Sequence, residues 1–272
     1  MNLANGLFGQ IGGRKRFPYG GAGGSWSPLN LSGLGLWLNA SNEASLLNAT
    51  SQVAVNNDPI SQWSDLSGNG RHWTQGTSLS RPTLNTTGLN SKRGVSFDGS
   101  DDYLIGNAAT LSLIKNLAGY TFFLVQSATL VAGGQWFAIS TNASATAGRV
   151  VVLHSTNYQF YARRLDADAS AGSVTGGSIS AGVANVLTYR VDQTNTTATA
   201  FKDGTQIGNN AAFNTAGSVE NLDSLAAQIG RSLAAASPIQ GVISELIVYQ
   251  RALSTGERQL VEGYLRAKWG TP

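Results

Sequence analysis

Three aspartates in the stretch Asp98-Gly-Ser-Asp-Asp102 form the densest cluster of acids in the chain. Carboxylate oxygens gathered at one loop are what a hard cation such as Ca²⁺ takes as ligands, so Asp98, Asp101 and Asp102 are the candidate calcium site. The same side chains can equally cap the backbone N–H groups of a tight turn in which Gly99 supplies a positive φ. Asp166 and Asp168 are the next acidic pair and sit in a Gly/Ala/Ser-rich stretch, where solubility alone accounts for them.

A second chemistry is sugar binding, which pairs a flat ring that stacks on the ligand with polar groups that fix its orientation. Trp73, Tyr103, Trp136, Tyr158 and Tyr161 are the candidate exposed rings, whereas Trp37 and Trp63 are placed in the core. Hydrolytic chemistry finds little to use. His72 and His154 are the only histidines, neither lies in an HExxH helix, and no GxSxG turn occurs. The absence of cysteine excludes disulfides, thiolate metal sites and cysteine nucleophiles together.

The elements that must position these residues are short strands. From Val242 to Tyr249 the β-branched residues are dense and Glu245 is the only charge, which predicts a buried strand. Ser254 and Glu257 then form a capping box, and Leu260, Val261, Tyr264, Leu265 and Trp269 make one apolar stripe. A helix is expected there, lying on the edge or back of a sheet, with Arg266 and Lys268 at its negative pole and Gly270 as its stop. Upstream, strands are predicted at residues 34–38, 60–63, 71–74, 94–97, 103–105, 120–127, 135–140, 149–154, 158–163, 183–192, 196–202, 206–208 and 226–230. Asp98–Asp102 reads as a hairpin-like turn, and Asp203-Gly204 as a hairpin.

A chain of 272 residues, 42% hydrophobic, can bury one sizeable all-β core. Residues 1–30, with their paired glycines and a basic triplet, read as an N-terminal arm, and residues 31–272 as one domain. With 12% charged residues and a net charge of +3, the short basic clusters lie in no nucleic-acid module, so no nucleic acid is expected as a partner. No apolar run is long enough to span a membrane, and the first residues do not have the order of a secretory signal, so synthesis in a cytoplasm without general secretory export is expected.

Five stretches carry a resemblance across about residues 34–270: Leu36-Trp37-Leu38-Asn39-Ala40-Ser41; Gln62-Trp63-Ser-Asp65 with Ser67-Gly-Asn-Gly70 and His72; Val95 to Leu104; Phe201 to Gly208; and the tail. In these the chain resembles the concanavalin A-like lectin/glucanase superfamily, in particular laminin-G-like domains of bacterial surface and phage structural proteins. The resemblance implies an all-β, two-sheet antiparallel jelly-roll sandwich with a C-terminal helix. It also implies calcium at a loop rim in many relatives, and in the glucanases a strand with Glu, Asp and Glu at alternate positions. Glu43, Glu220, Glu245, Glu257 and Glu262 form no such pattern, so no enzyme is expected.

The fold alone does not assign function. The combination of a Gly-rich arm, no secretory signal and a lectin-like body leads to the expectation of a non-enzymatic bacteriophage virion protein, a capsid decoration or tail adhesin at the virion surface. In that reading the arm docks onto other virion proteins, the chain is a homo-oligomer, and the sandwich meets a host-surface glycan. The alternative is a bacterial secreted or cell-surface carbohydrate-binding module, and the third reading a degenerate glucanase.

Overall fold

The computed structural model describes residues 26–129, 133–140, 149–165, 168, 172–218, 226–233 and 237–272. Most of the expected arm, Asp166 and Glu220 therefore lie outside the described residues. In chain order the strands begin with β1 (Leu34–Asn39), β2 (Leu46–Asn48), β3 (Ile60–Trp63), β4 (Trp73–Thr74), β5 (Thr83–Leu89) and β6 (Lys92–Asp98). After β7 (Leu104–Gly106) and the one-turn helix α1 (Ala108–Leu111) come β8 (Gly119–Ala128), β9 (Gly134–Ser140), β10 (Val150–His154), β11 (Asn157–Ala162) and β12 (Gly172–Ser178). The chain closes with β13 (Asn185–Asp192), β14 (Thr197–Lys202), β15 (Thr205–Asn210), β16 (Ala226–Ile229), β17 (Gln240–Tyr249) and the helix α2 (Thr255–Trp269).

Two antiparallel sheets result. The back sheet runs β15-β14-β13-β8-β17-β6-β5, with β1 pairing β17, and the front sheet runs β12-β11-β10-β9-β16-β7-β4-β3-β2. This is the jelly-roll sandwich that the resemblance implied. Its core lies between the sheets, where Phe122 of β8 meets Phe137 of β9 at 5.0 Å edge-on and Phe160 of β11 stacks on Tyr189 of β13 at 4.7 Å. Every residue of β8 is buried, because the core covers one face of the back sheet and α2 lies over the other, against β13 and β8. A strand closed on both faces reads as a continuous apolar run, which made β8 and β17 easy to find.

The strands missing from the sequence reading are β2, β5 and β12, and each is the last strand of a sheet. An edge strand is held on one side only and half exposed, so its sequence need not alternate. β5 (Thr-Leu-Asn-Thr-Thr-Gly-Leu) and β12 (Gly-Ser-Val-Thr-Gly-Gly-Ser) are accordingly polar and glycine-rich. A further correction concerns residues 98–103. They do not close a hairpin, because β6 belongs to the back sheet and β7 to the front one. The turn is a crossing between sheets.

The motif residues that carried the resemblance act as a staple. The buried Asp65 carboxylate accepts from the backbone N–H of Trp37 at 3.0 Å, of Ser67 at 2.9 Å and of Arg71 at 3.0 Å, while His72 Nδ1 accepts from Asp65 N at 3.1 Å. This ties β1 of the back sheet to the β3–β4 connection of the front sheet. Trp63, as expected, has no exposed surface.

Glu245, the strand residue outside any alternating acidic pattern, turns out to be an anchor. Its carboxylate has no exposed surface and meets four donors: Trp37 Nε1 at 2.6 Å and Tyr264 OH at 3.2 Å on one oxygen, Trp269 Nε1 at 2.6 Å and Lys268 Nζ at 2.7 Å on the other. Lys268 also donates to Asn39 Oδ1 at 2.8 Å, so it serves this carboxylate in addition to the helix pole. Burial holds the Lys268 ammonium below its ordinary range, and Glu245 draws it partly back. Three of the four donors come from α2, so one carboxylate fastens the helix to β17 and β1.

The capping box of α2 forms as expected, with Ser254 Oγ accepting from Glu257 N and Gly270 ending the helix at φ 67°. Residues 26–30, placed with the arm, instead pack on the domain: the Trp26 ring lies 5.0 Å from Tyr264, and Tyr249 OH donates to the Pro28 carbonyl at 2.8 Å. A chain starting at residue 26 is expected to melt higher than one starting at residue 31, by about 1–3 kcal/mol of stability in thermal denaturation. Glu245→Gln would turn an amide N–H₂ towards Lys268 and the Trp269 indole. Urea unfolding of that variant is expected to show a loss of about 3–5 kcal/mol.

Candidate functional site

The outer face of the front sheet is not covered by α2. Cross-strand pairing places one row of side chains across it: Ser173, Tyr161, Val151, Ala138, Gln228, Ile105, Thr74 and Gln62, each opposite the next. A second, shorter row holds Thr175, Gln159, Leu153 and Gln135. Val151 and Ala138 are buried yet stand apart from the hydrophobic core between the sheets, as expected for side chains that point the other way. Gln228 is 6% exposed, and its amide oxygen has no hydrogen-bond donor. That oxygen is itself closed to solvent, as are the neighbouring Val151 and Ala138, so the middle of the row is shut and its accessible groups lie towards the ends, at Ser173 and Tyr161 and at Ile105, Thr74 and Gln62.

Of the five rings proposed for stacking, Tyr161 alone lies in these rows, half-buried. Trp73, Trp136 and Tyr158 are closed to solvent, so the expectation of exposed rings is corrected at all three. Trp73 packs 5.5 Å from Phe137 in the core. At Trp136 the β9–β10 register shifts, and this bulge lets Trp136 and its neighbour Phe137 both be buried where simple alternation would expose one. Tyr158 faces inward with Phe160 and Ala162, its hydroxyl accepting from Asn185 Nδ2 at 2.9 Å, and burial pushes its phenol up to about 12. Tyr158 and Tyr161 are three residues apart, which puts them on opposite faces of any strand. That spacing was legible in the sequence. Gln159, Thr175 and Gln228 were missed because polar residues in strands carry no signal until the register shows which share a face.

Tyr103 sits at the rim, half-buried, with the Arg231 guanidinium 3.4 Å above its ring. Beside it, the oxygens of Asp98, Asp101 and Asp102 lie within 4.8 Å of one another. Each carboxylate has a partner in the fold. Asp98 Oδ1 accepts from Ser100 N at 2.8 Å, Asp101 Oδ2 from Ser80 Oγ at 3.1 Å and Asp102 Oδ2 from Asp98 N at 3.0 Å. The turn-capping role is thus filled, with one oxygen of each aspartate left over among the described residues.

The described glutamates are likewise engaged. Glu43 pairs with Arg93, Glu257 with Arg251 and the helix cap, Glu262 with Arg258, and Glu245 with its four donors. The Arg251 hydrogen bonds lead in holding Glu257 down at about 2. None of these acids stands free beside a second one across a cleft, the arrangement that glycoside hydrolysis needs.

No protein family matches this sequence, and no curated protein does. Several solved structures share the fold. The binding domain of botulinum neurotoxin serotype G superposes with a TM-score of 0.61 at 12% identity, covering 88% of this chain and 54% of that one. A Trypanosoma rangeli sialidase gives 0.56 at 11% identity, covering 85% and 33%. The Ruminococcus gnavus CBM40 bound to α2,3-sialyllactose gives 0.50 at 17% identity, covering 62% and 95%. The chain therefore spans 33% of the sialidase and 54% of the neurotoxin domain. What these likenesses establish is a lectin-like jelly roll, and the narrower laminin-G-like kinship finds no matching family.

Burial leads, and Asp98 and Asp101 add to it, in pushing the Asp102 carboxyl from its ordinary 3.8 up to about 7. The folded chain therefore holds this proton more tightly than the unfolded one, and stability falls as pH rises from about 4 to about 7. Asp102→Asn keeps the acceptor and removes the charge. In thermal melts at a series of pH values it is expected to flatten that slope and to stabilise the protein at pH 8 by on the order of 2 kcal/mol. Ca²⁺ provides a second readout on the same variant: a cation on the spare oxygens raises the wild-type melting temperature and not that of Asp102→Asn. A melt indifferent to both Ca²⁺ and EDTA leaves the turn role alone.

Proposed function

We infer that the chain is a non-enzymatic carbohydrate-binding module of a secreted or cell-surface protein, with the outer face of the front sheet as its ligand surface. The observation that carries this reading is the placement of Tyr161 on the face that also presents Gln159, Thr175 and Ser173. A half-exposed ring beside amides and hydroxyls matches what a saccharide offers, an apolar ring face edged by hydroxyls. Among the structures that share the fold, one was solved with a sialylated glycan, which makes sialosides the first ligands to try. No helix among the described residues is long and apolar enough to cross a membrane. The laminin-G-like kinship suggested by the sequence motifs belongs with this reading.

The expectation of a bacteriophage virion protein gains nothing from the names of those structures, and most of its supporting arm lies outside the described residues. The surface-module reading is the better supported of the two. The degenerate-glucanase reading has lost its candidate carboxylates among the described residues to structural partners.

A glycan array that includes α2,3-sialyllactose tests the proposal. Tyr161→Ala is expected to weaken the strongest signal about tenfold, the loss of one stacked ring, with the melting temperature little changed. Gln159→Ala removes an accessible amide from the same face and is expected to weaken it as well. An array without any bound glycan, or binding retained in full by both variants, overturns the assignment.

A further inference from the structure

His154 closes β10, and its imidazole is 1% exposed with no hydrogen-bond partner on either ring nitrogen. Trp136 lies 4.6 Å from it, tilted by 31°, and Tyr158 meets it edge-on at 5.0 Å. A neutral imidazole has one donor and one acceptor, and here both are buried without use. Phenylalanine or leucine would fill the same volume without that penalty. What histidine adds at such a position is a site for a proton.

Among the described residues, the surroundings give an imidazolium nothing to bond. From β11 it faces the Tyr158 ring, whose hydroxyl is already taken by Asn185 of β13, and from β9 it faces Trp136 and, across the strand pair, Gly134. From β14 the Lys202 ammonium lies 5.4 Å from the far Tyr158 ring, a like charge. No carboxylate among the described residues reaches it. Burial alone holds the imidazole at about 3, far below its ordinary 6.5. The Trp136 face offers a cation some attraction, but less than the loss of hydration of an unpaired buried charge.

We propose that His154 is an acid latch on the ligand face of the front sheet, the neutral imidazole letting β9, β10 and β11 close and its protonation forcing them apart. Leu153, the residue before it, pairs with Gln159 and Gln135 on the outer face, so displacement at His154 is carried to that face. A ligand held there at neutral pH is released on acidification. This inference rests, for its ligand, on the carbohydrate reading given above; the latch itself does not.

The folded-state value is depressed, so the contribution to stability is complete above about pH 6.5 and declines as pH falls below it. One proton gives at most a tenfold change per pH unit, hence roughly a 15-fold rise in the opening equilibrium between pH 6.5 and 5, and about 30-fold from pH 7.5. Asp102 titrates nearby with the opposite sign, so wild type is compared with His154→Phe, in which the Asp102 contribution cancels. His154→Gln, polar but unable to titrate, serves if the phenylalanine does not fit.

Two measurements decide the matter. Hydrogen exchange of residues 150–162, corrected for intrinsic rates, is expected to lose protection between pH 7 and 5 in wild type and to keep it in the variants. Equal loss in all three proteins overturns the latch. The glycan array read at pH 7.5 and pH 5 is expected to show wild-type binding fall, by at most about 30-fold, with the variants retaining it. Binding that is unchanged at pH 5 in wild type overturns the coupling. An array blank at both pH values, with the exchange difference present, sinks the carbohydrate reading and leaves the latch standing.

Discussion

A carboxylate with no exposed surface, held by two indoles, a phenol and an ammonium, is the interaction on which the back of this molecule depends. Glu245 sits in the strand shared by β8, β6 and β1, and its four donors fix α2 over the outer face of that sheet. A buried charge is costly unless it is fully bonded, so the arrangement tolerates little variation: each donor that leaves strands part of a charge in an apolar layer. The helix does not simply rest on the sheet through its apolar stripe. It is positioned by Trp269, Lys268 and Tyr264 meeting one residue of β17.

Sealing the back sheet decides where function can lie. With one face against the core and the other under α2, the back sheet offers little of its central strands to a ligand, whereas α2 leaves the outer face of the front sheet uncovered. Its outer rows combine a half-buried tyrosine with amides and hydroxyls. The same strands carry Phe160, Tyr158, Trp136 and His154 on their inner side, so the outer face and the core are two sides of one layer, and a disturbance on one is felt on the other.

The sequence made the central architecture legible because it is the most constrained. β8, β13, β17 and the capped helix announce themselves through apolar density, β-branching and the Ser254–Glu257 box. The edge strands β2, β5 and β12 stayed hidden, since a strand bonded on one side and half in water is specified by its neighbour more than by its own residues. The acidic turn at Asp98–Asp102 was recognised as a turn, but the chain reversal of a hairpin and a crossing between sheets look alike in sequence. Of the candidate rings, the spacing of Tyr158 and Tyr161 already separated an inward from an outward residue, whereas the bulge that buries Trp136 is a property of pairing.

By itself, then, the sequence determined the fold class, the order of the central elements, the helix and its caps, and the lack of thiol chemistry, because each of these follows from local composition and period. Tertiary structure alone decided that Glu245 has four partners, that residues 26–30 belong to the domain, and that Tyr161, Gln159, Thr175 and Gln228 share a face. Those facts join residues more than 200 positions apart, as Trp37 and Glu245 are at 208 and Pro28 and Tyr249 at 221. Contacts of that reach are fixed by strand register and sheet packing, and no local pattern encodes them.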